Sequence, residues 1–233
     1  MKNNSRKLWM LGIIGCLLFG IGDWLLGYVA PGQIGAEFHV MRVGHGADYS
    51  LVKVAITLLF GVIGTAFLIP GFRAQADILK DKKRKPLFRF LMSLCAVAWL
   101  VIHTTVSVGI YIYSWCMHMG DPALAHNLTI DVMDLFQPMQ IVSYVFLAVP
   151  LVMQIVDIVR GKTVCNRKAV LFTSVVWMCV FSVIAKVLPA SPFANGLDTF
   201  SMNAGMIVWF GYLIVTNPSK QDTSGGCHRE QKR

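Results

Sequence analysis

A chain of 233 residues that is 55% hydrophobic and only 14% charged, with a mean hydropathy of +0.60, is too apolar for a water-soluble globule and is solvated mainly by lipid. Its net charge of +9 does not point to nucleic acid, because the basic residues flank apolar stretches, where they orient insertion and meet anionic lipid. Six spans of about 20 residues each, with short connections, use up the length. An all-α membrane protein is therefore predicted, with one six-helix domain over residues 1–217 and a polar cytoplasmic tail over 218–233.

The first predicted span runs from Leu8 to Val29. Lys2, Arg6 and Lys7 before it imitate the start of a secretory signal, but the apolar run of about 22 residues exceeds the usual 7 to 15 and contains Asp23, so it reads as a retained span. Gly12, Cys16, Gly20, Asp23 and Gly27 share one helical face, and small residues on one stripe let another backbone approach. Asp23, about 9 Å inside the outer boundary, requires a partner, water or a proton.

The second span, Leu51 to Phe72, carries Lys53, Thr57, Gly61 and Gly64 on one face. Lys53 is the nearest partner in depth for Asp23, and Lys186 is the second choice; the other reading of both lysines is snorkelling to the outer headgroups. The loop between the first two spans holds His39, His45 and Asp48, interrupted by Gly44 and Gly46, which suit a turn.

The third span, Phe88 to Trp115, follows the densest basic run, Lys80 to Arg89. That run is explained by topology and is also a candidate site for anionic lipid. His103 lies near mid-membrane on a stripe with Trp99, Ser107 and Tyr111. It reads either as a structural hydrogen-bonding group or as a residue for proton transfer, metal ligation or ligand contact.

The loop from Cys116 to Pro138 has no Lys or Arg but holds His118, Asp121 and His126. Its segment with Asp131 and Asp134 is predicted as a short amphipathic helix on the outer surface. No histidine pair has the spacing of a helical zinc site, so the loop histidines are read as solvated and no metal is assigned. The fourth span, Met139 to Val159, carries Gln140 near its outer end and Pro150 in its interior, where a kink is expected. The fifth runs from Lys168 to Leu188, with Lys186 at its end. In the sixth, Gly196 to Val215, Asp198 shares a face with Ser201 and Gly205, while Asn203 pairs with Thr199. The bland reading of Asp198 is a carboxylate favoured by the helix N-terminus.

All of the 21 Lys and Arg residues except Arg42, Lys53 and Lys186 fall in the N-terminal tail, the second and fourth loops and the C-terminal tail, so both termini are expected in the cytoplasm. Trp and Tyr residues near both ends of the spans form two aromatic belts. The cysteines make no disulfide framework, since only Cys116 is placed outside. Asp23, Lys53, His103, Gln140, Lys186, Asp198 and Asn203 are grouped as the members of a polar chamber opening away from the cytoplasm.

Several reaction signatures are missing. Gly161-Lys162-Thr163 imitates the end of a phosphate loop, but Val156 occupies the position of its first glycine. There is no GxSxG elbow and no HExxH, and nothing calls for a cofactor.

Gly20-Ile-Gly-Asp23-Trp-Leu-Leu-Gly, Arg42-Val-Gly-His-Gly-Ala-Asp48, Lys186-Val-Leu-Pro-Ala-Ser-Pro-Phe-Ala-Asn195-Gly and Met202-Asn203-Ala-Gly-Met together resemble a family of uncharacterised bacterial six-helix membrane proteins, over most of the chain. That resemblance implies an inner-membrane protein from a bacterium and brings no activity. Gly22-Asp23-Trp24-Leu25-Leu26 is also similar to the Gly-Asp-x-Leu-Leu segment of lysoplasmalogenase-like membrane hydrolases, which have eight helices and a Ser-Asp element that this chain lacks.

Three functions are carried forward. In the first, Asp23 and His103 take up a proton or cation as a small ligand or lipid occupies the chamber. Transport would then need an oligomer, because the two halves show no inverted repeat. In the second, a carboxylate and His103 activate water toward a lipid-borne bond, which requires the two within about 3 Å of each other or of a common water. In the third, the small-residue faces dock another membrane protein.

Overall fold

The computed structural model describes residues 2–28 and 50–216, which fold into six α-helices. These are α1 (Lys2–Gly27), α2 (Leu51–Ala74), α3 (Lys85–His118), α4 (Pro122–Val159), α5 (Ser174–Val187) and α6 (Pro192–Thr216). Five of them, all but α5, are long and apolar enough to cross a membrane. Large apolar side chains such as Leu59, Val62, Ile141, Val145 and Val183 are exposed, as expected of a surface solvated by acyl chains rather than water.

Local chemistry sets the helix ends. The Ser50 hydroxyl accepts from the Lys53 amide and starts α2, and the Asp121 carboxylate accepts from the Leu124 amide and starts α4 with Pro122 at its first position. Gly120 and Gly161, at φ +77° and +66°, stop α3 and α4 in the left-handed conformation that glycine adopts without penalty.

The helices lie side by side in the order α4, α3, α2, α1, α6, α5. α1 and α2 touch backbone to backbone: a Cβ on Gly64 would stand 2.6 Å from the Phe19 nitrogen, and one on Gly71 would stand 2.6 Å from the Gly12 Cα. The stripe through Gly20, Asp23 and Gly27 faces α6, where Gly20 meets Phe200 and Gly27 meets Thr199. At one end of the bundle the chain stretches 78–80 and 162–164 pair, with a bridge between Leu79 and Thr163; this end carries the basic loops.

Two sequence expectations change. The predicted outer loop and surface helix are absent, because α4 is a single helix of 38 residues from Pro122, continuous through Pro138 and Pro150. Pro138 looks like a boundary in the sequence, yet neighbouring groups in such bundles absorb the lost backbone bond. The predicted fifth span is divided: a 3-10 turn over Arg167–Phe172 and an extended Thr173 precede α5, whose 14 residues reach about 21 Å. Ser174 lies against Gly205 and the Ser182 hydroxyl bonds that of Ser201, so α5 runs antiparallel to α6. The predicted tail and the loop with Arg42, His39, His45 and Asp48 lie outside the described residues.

Candidate functional site: an aspartate held by three helices

Asp23 sits one turn before the end of α1, and both of its carboxylate oxygens are engaged from other helices. Oδ1 is 2.7 Å from Nδ1 of His103 on α3, and Oδ2 accepts from Nδ2 of Asn203 on α6 at 2.6 Å. The imidazole is 1% exposed and the carboxylate 14%, so the pair is nearly dry, with its open edge on the carboxylate.

Glycine makes the meeting possible. α2 stands between α1 and α3, and His103 must reach past it. A Cβ on Gly61 would lie 2.6 Å from His103 Cδ2, and one on Gly22 would lie 3.2 Å from Cε1, so the ring occupies a slot that only hydrogen side chains leave open. Phe19 closes the slot, its ring centroid 4.6 Å from that of His103.

The hydrogen bonds count the protons. His103 Nε2 is 3.1 Å from the Thr57 carbonyl oxygen, which only accepts, so Nε2 must carry a hydrogen. Nδ1 then faces the carboxylate at 2.7 Å. With neither group protonated there, two lone pairs would collide, so a second proton lies on the Asp23–His103 axis, on one partner or the other. The pair as built is a proton holder of zero net charge, which is how a carboxylate persists in a low-dielectric interior. Thr57 Oγ1 and Asn203 Oδ1, both buried in this cluster, have no hydrogen-bond partner among the described residues and leave donor and acceptor capacity unspent beside the pair.

Of the seven residues singled out by sequence, three meet here: Asp23, His103 and Asn203. The expected Asp23–Lys53 contact is not made. Lys53 Nζ donates to the Tyr28 carbonyl oxygen at 3.3 Å, because the Asp23 stripe faces α6 and its carboxylate is already engaged by α3 and α6. Gln140 donates to Thr105 Oγ1 across the α3–α4 contact at 3.0 Å. Lys186 is exposed at the end of α5, and Asp198 is half-buried in the first turns of α6. None of these four bonds to Asp23, His103 or Asn203.

A second polar cluster escaped the sequence reading. Near the basic end, Gln75 Oε1 accepts from Gln154 Nε2 at 2.6 Å and from Trp209 Nε1 at 2.9 Å, joining α2's end, α4 and α6. Nearby on α4, the buried Asp157 carboxylate pairs with Arg84 at 2.8 Å and makes that guanidinium still harder to deprotonate. The signal was present as Gln154 and Asp157, polar residues three apart inside an apolar helix. Among the described residues no group of three His, Cys, Asp or Glu side chains could hold a metal ion.

This architecture defines an all-helical protein whose apolar helices suit a membrane. The chain belongs to the family of unknown function DUF6796, which it matches over residues 1–220. No curated protein and no solved structure matches it.

Proposed function

We propose that this chain is a six-span plasma-membrane protein with both termini at the cytoplasmic, basic end, and that it binds or translocates a small ligand or ion by exchanging the proton held between Asp23 and His103. Connectivity supports six crossings: α4 ends beside Arg84 at the basic end, α6 runs antiparallel to α1, and α5 with its preceding 3-10 turn links the two ends. The lysines and arginines of the loops set the orientation.

The observation that carries the functional reading is the His103 ring held between the Asp23 carboxyl group and the Thr57 carbonyl oxygen. A pair with one mobile proton, tied to three helices and bordered by unspent polar atoms, can trade that proton for a cation, or for a hydrogen-bonding ligand at the open carboxylate edge. Such an exchange changes the bonds among α1, α3 and α6, which gives ligand occupancy a route to helix packing.

A hydrolase is the second reading, because Asp23 and His103 meet within the required distance. Both imidazole nitrogens are engaged, however, and among the described residues no serine hydroxyl or cysteine thiol bonds the ring. Activation of water would first have to break the Thr57 contact.

The deciding measurement uses protein reconstituted in liposomes with an enclosed pH dye and an imposed potassium diffusion potential. Wild-type protein should move protons, and Asp23→Asn and His103→Gln should abolish the movement. Equal flux in all three would overturn the proposal.

A further inference from the structure

At the basic end, α1, α2 and α3 enclose a cleft of about 520 Å³. One part of its wall is apolar, formed by Leu8, Ile69 and Pro70, and the other is charged, formed by Arg73, Asp77 and Arg89. Asp77 organises the charged part: its carboxylate accepts from Ser5 Oγ at 2.6 Å and from Arg89 Nη2 at 2.9 Å. Arg89 therefore spends one side of its guanidinium fork on Asp77. The Arg73 guanidinium is exposed and has no partner among the described residues.

Two guanidiniums face one carboxylate in this cleft, and Lys85, whose Nζ donates to the Asp77 carbonyl oxygen at 3.3 Å, adds a further positive charge beside it. Arginine forks fit the paired oxygens of a phosphate. The negative charge of a phosphodiester is matched by this excess of positive charge. A soluble phosphate would leave the apolar wall unused. A cleft between apolar helices, at the level of their flanking basic residues, opens where lipid headgroups are concentrated.

We infer that this cleft binds one anionic phosphodiester lipid, its phosphate on Arg73 and Arg89 and the start of an acyl chain on Leu8, Ile69 and Pro70. Asp77 is a positioning residue: it fixes Arg89. The site is separate from the Asp23–His103 pair and does not depend on how that pair works.

The test is native mass spectrometry and thermal unfolding of the full chain in neutral detergent, titrated separately with phosphatidylglycerol, phosphatidylcholine and inorganic phosphate. One phosphatidylglycerol should be retained per chain and raise Tm, while phosphatidylcholine and inorganic phosphate do neither. Arg73→Gln should weaken retention about tenfold, the loss of one charge-assisted phosphate contact. Arg167→Gln, at the same end but outside the cleft, should leave it unchanged. An equal loss in Arg167→Gln would show diffuse charge attraction and overturn the site, and stabilisation by inorganic phosphate alone would overturn the lipid. Because the Arg73 guanidinium bonds no other described residue, its variant decides the question even where Arg89→Gln fails to fold.

Discussion

Asp23 and His103 stand 80 residues apart in the chain and 2.7 Å apart in space, and the imidazole that closes this distance passes through a gap made by the missing side chains of Gly22 and Gly61. The polar site and the glycine seam are therefore one device. Helix packing brings the backbones close, and the same closeness opens a slot of imidazole width.

Asp23→Asn should fold nearly as well as wild type, within about 1 kcal/mol, because an amide can donate to Nδ1 of a neutral His103 and still accept from Asn203. Asp23→Ala leaves His103 and Asn203 buried without their shared acceptor and should cost about 3 kcal/mol. Reversible unfolding in mixed micelles separates the two; equal losses would mean that the carboxylate makes no such network.

Gly61→Ala would place its Cβ 2.6 Å from His103 Cδ2 and should destabilise by about 1–3 kcal/mol through displacement of the ring. Gly211→Ala meets nothing within 4 Å and should stabilise by about 0.5–1 kcal/mol, the ordinary helical advantage of alanine. The His103 imidazole resonances should shift in the first variant and stay in place in the second. Unmoved resonances in Gly61→Ala would show that the slot has slack.

Gln75→Leu should be worse than Trp209→Phe. The first strands two buried donors, Gln154 Nε2 and Trp209 Nε1, at about 1–3 kcal/mol each, while the second removes one donor and leaves Gln75 bonded to Gln154. Thermal unfolding of the two variants and their combination should give a double variant no worse than Gln75→Leu alone.

Burial pushes the Cys165 thiol, in the connection between α4 and α5, up to about 11. Its reactive thiolate is scarce at pH 8, so a variant with Cys165 as its sole cysteine should react with maleimide roughly a hundredfold more slowly than a free thiol. Because the neutral form is favoured in the fold, the associated stability is intact below the ordinary thiol range and lost as pH climbs toward about 11. A labelling rate that levels off near pH 9 would contradict the burial.

Much of this was legible from residues alone. Asp23 inside an apolar run required a partner, and the periodic glycines of α1 and α2 marked faces of close approach. The same periodicity left the choice of neighbour open: Lys53 matched Asp23 in depth, yet the Asp23 stripe turned to α6. Pro138 closed the predicted outer loop; a proline within a helix and a proline before one look alike in sequence, and only packed neighbours decide between them. Gln75, Gln154 and Trp209 passed unnoticed, since each is unremarkable until three distant elements bring them together.

The sequence by itself determined an all-helical chain apolar enough for a membrane, the loops that carry its charge, and the side chains too polar to sit alone in oil. These are properties of composition and of a fixed helical period, which hold wherever the helix ends up. Which carboxylate oxygen meets which nitrogen was decided only by tertiary structure, because rotation and depth of each helix are set by contacts that the chain makes with itself at long range. The proton between Asp23 and His103 belongs to that second kind: neither residue specifies it, and it exists because the Thr57 carbonyl, placed by α2, occupies the other side of the ring.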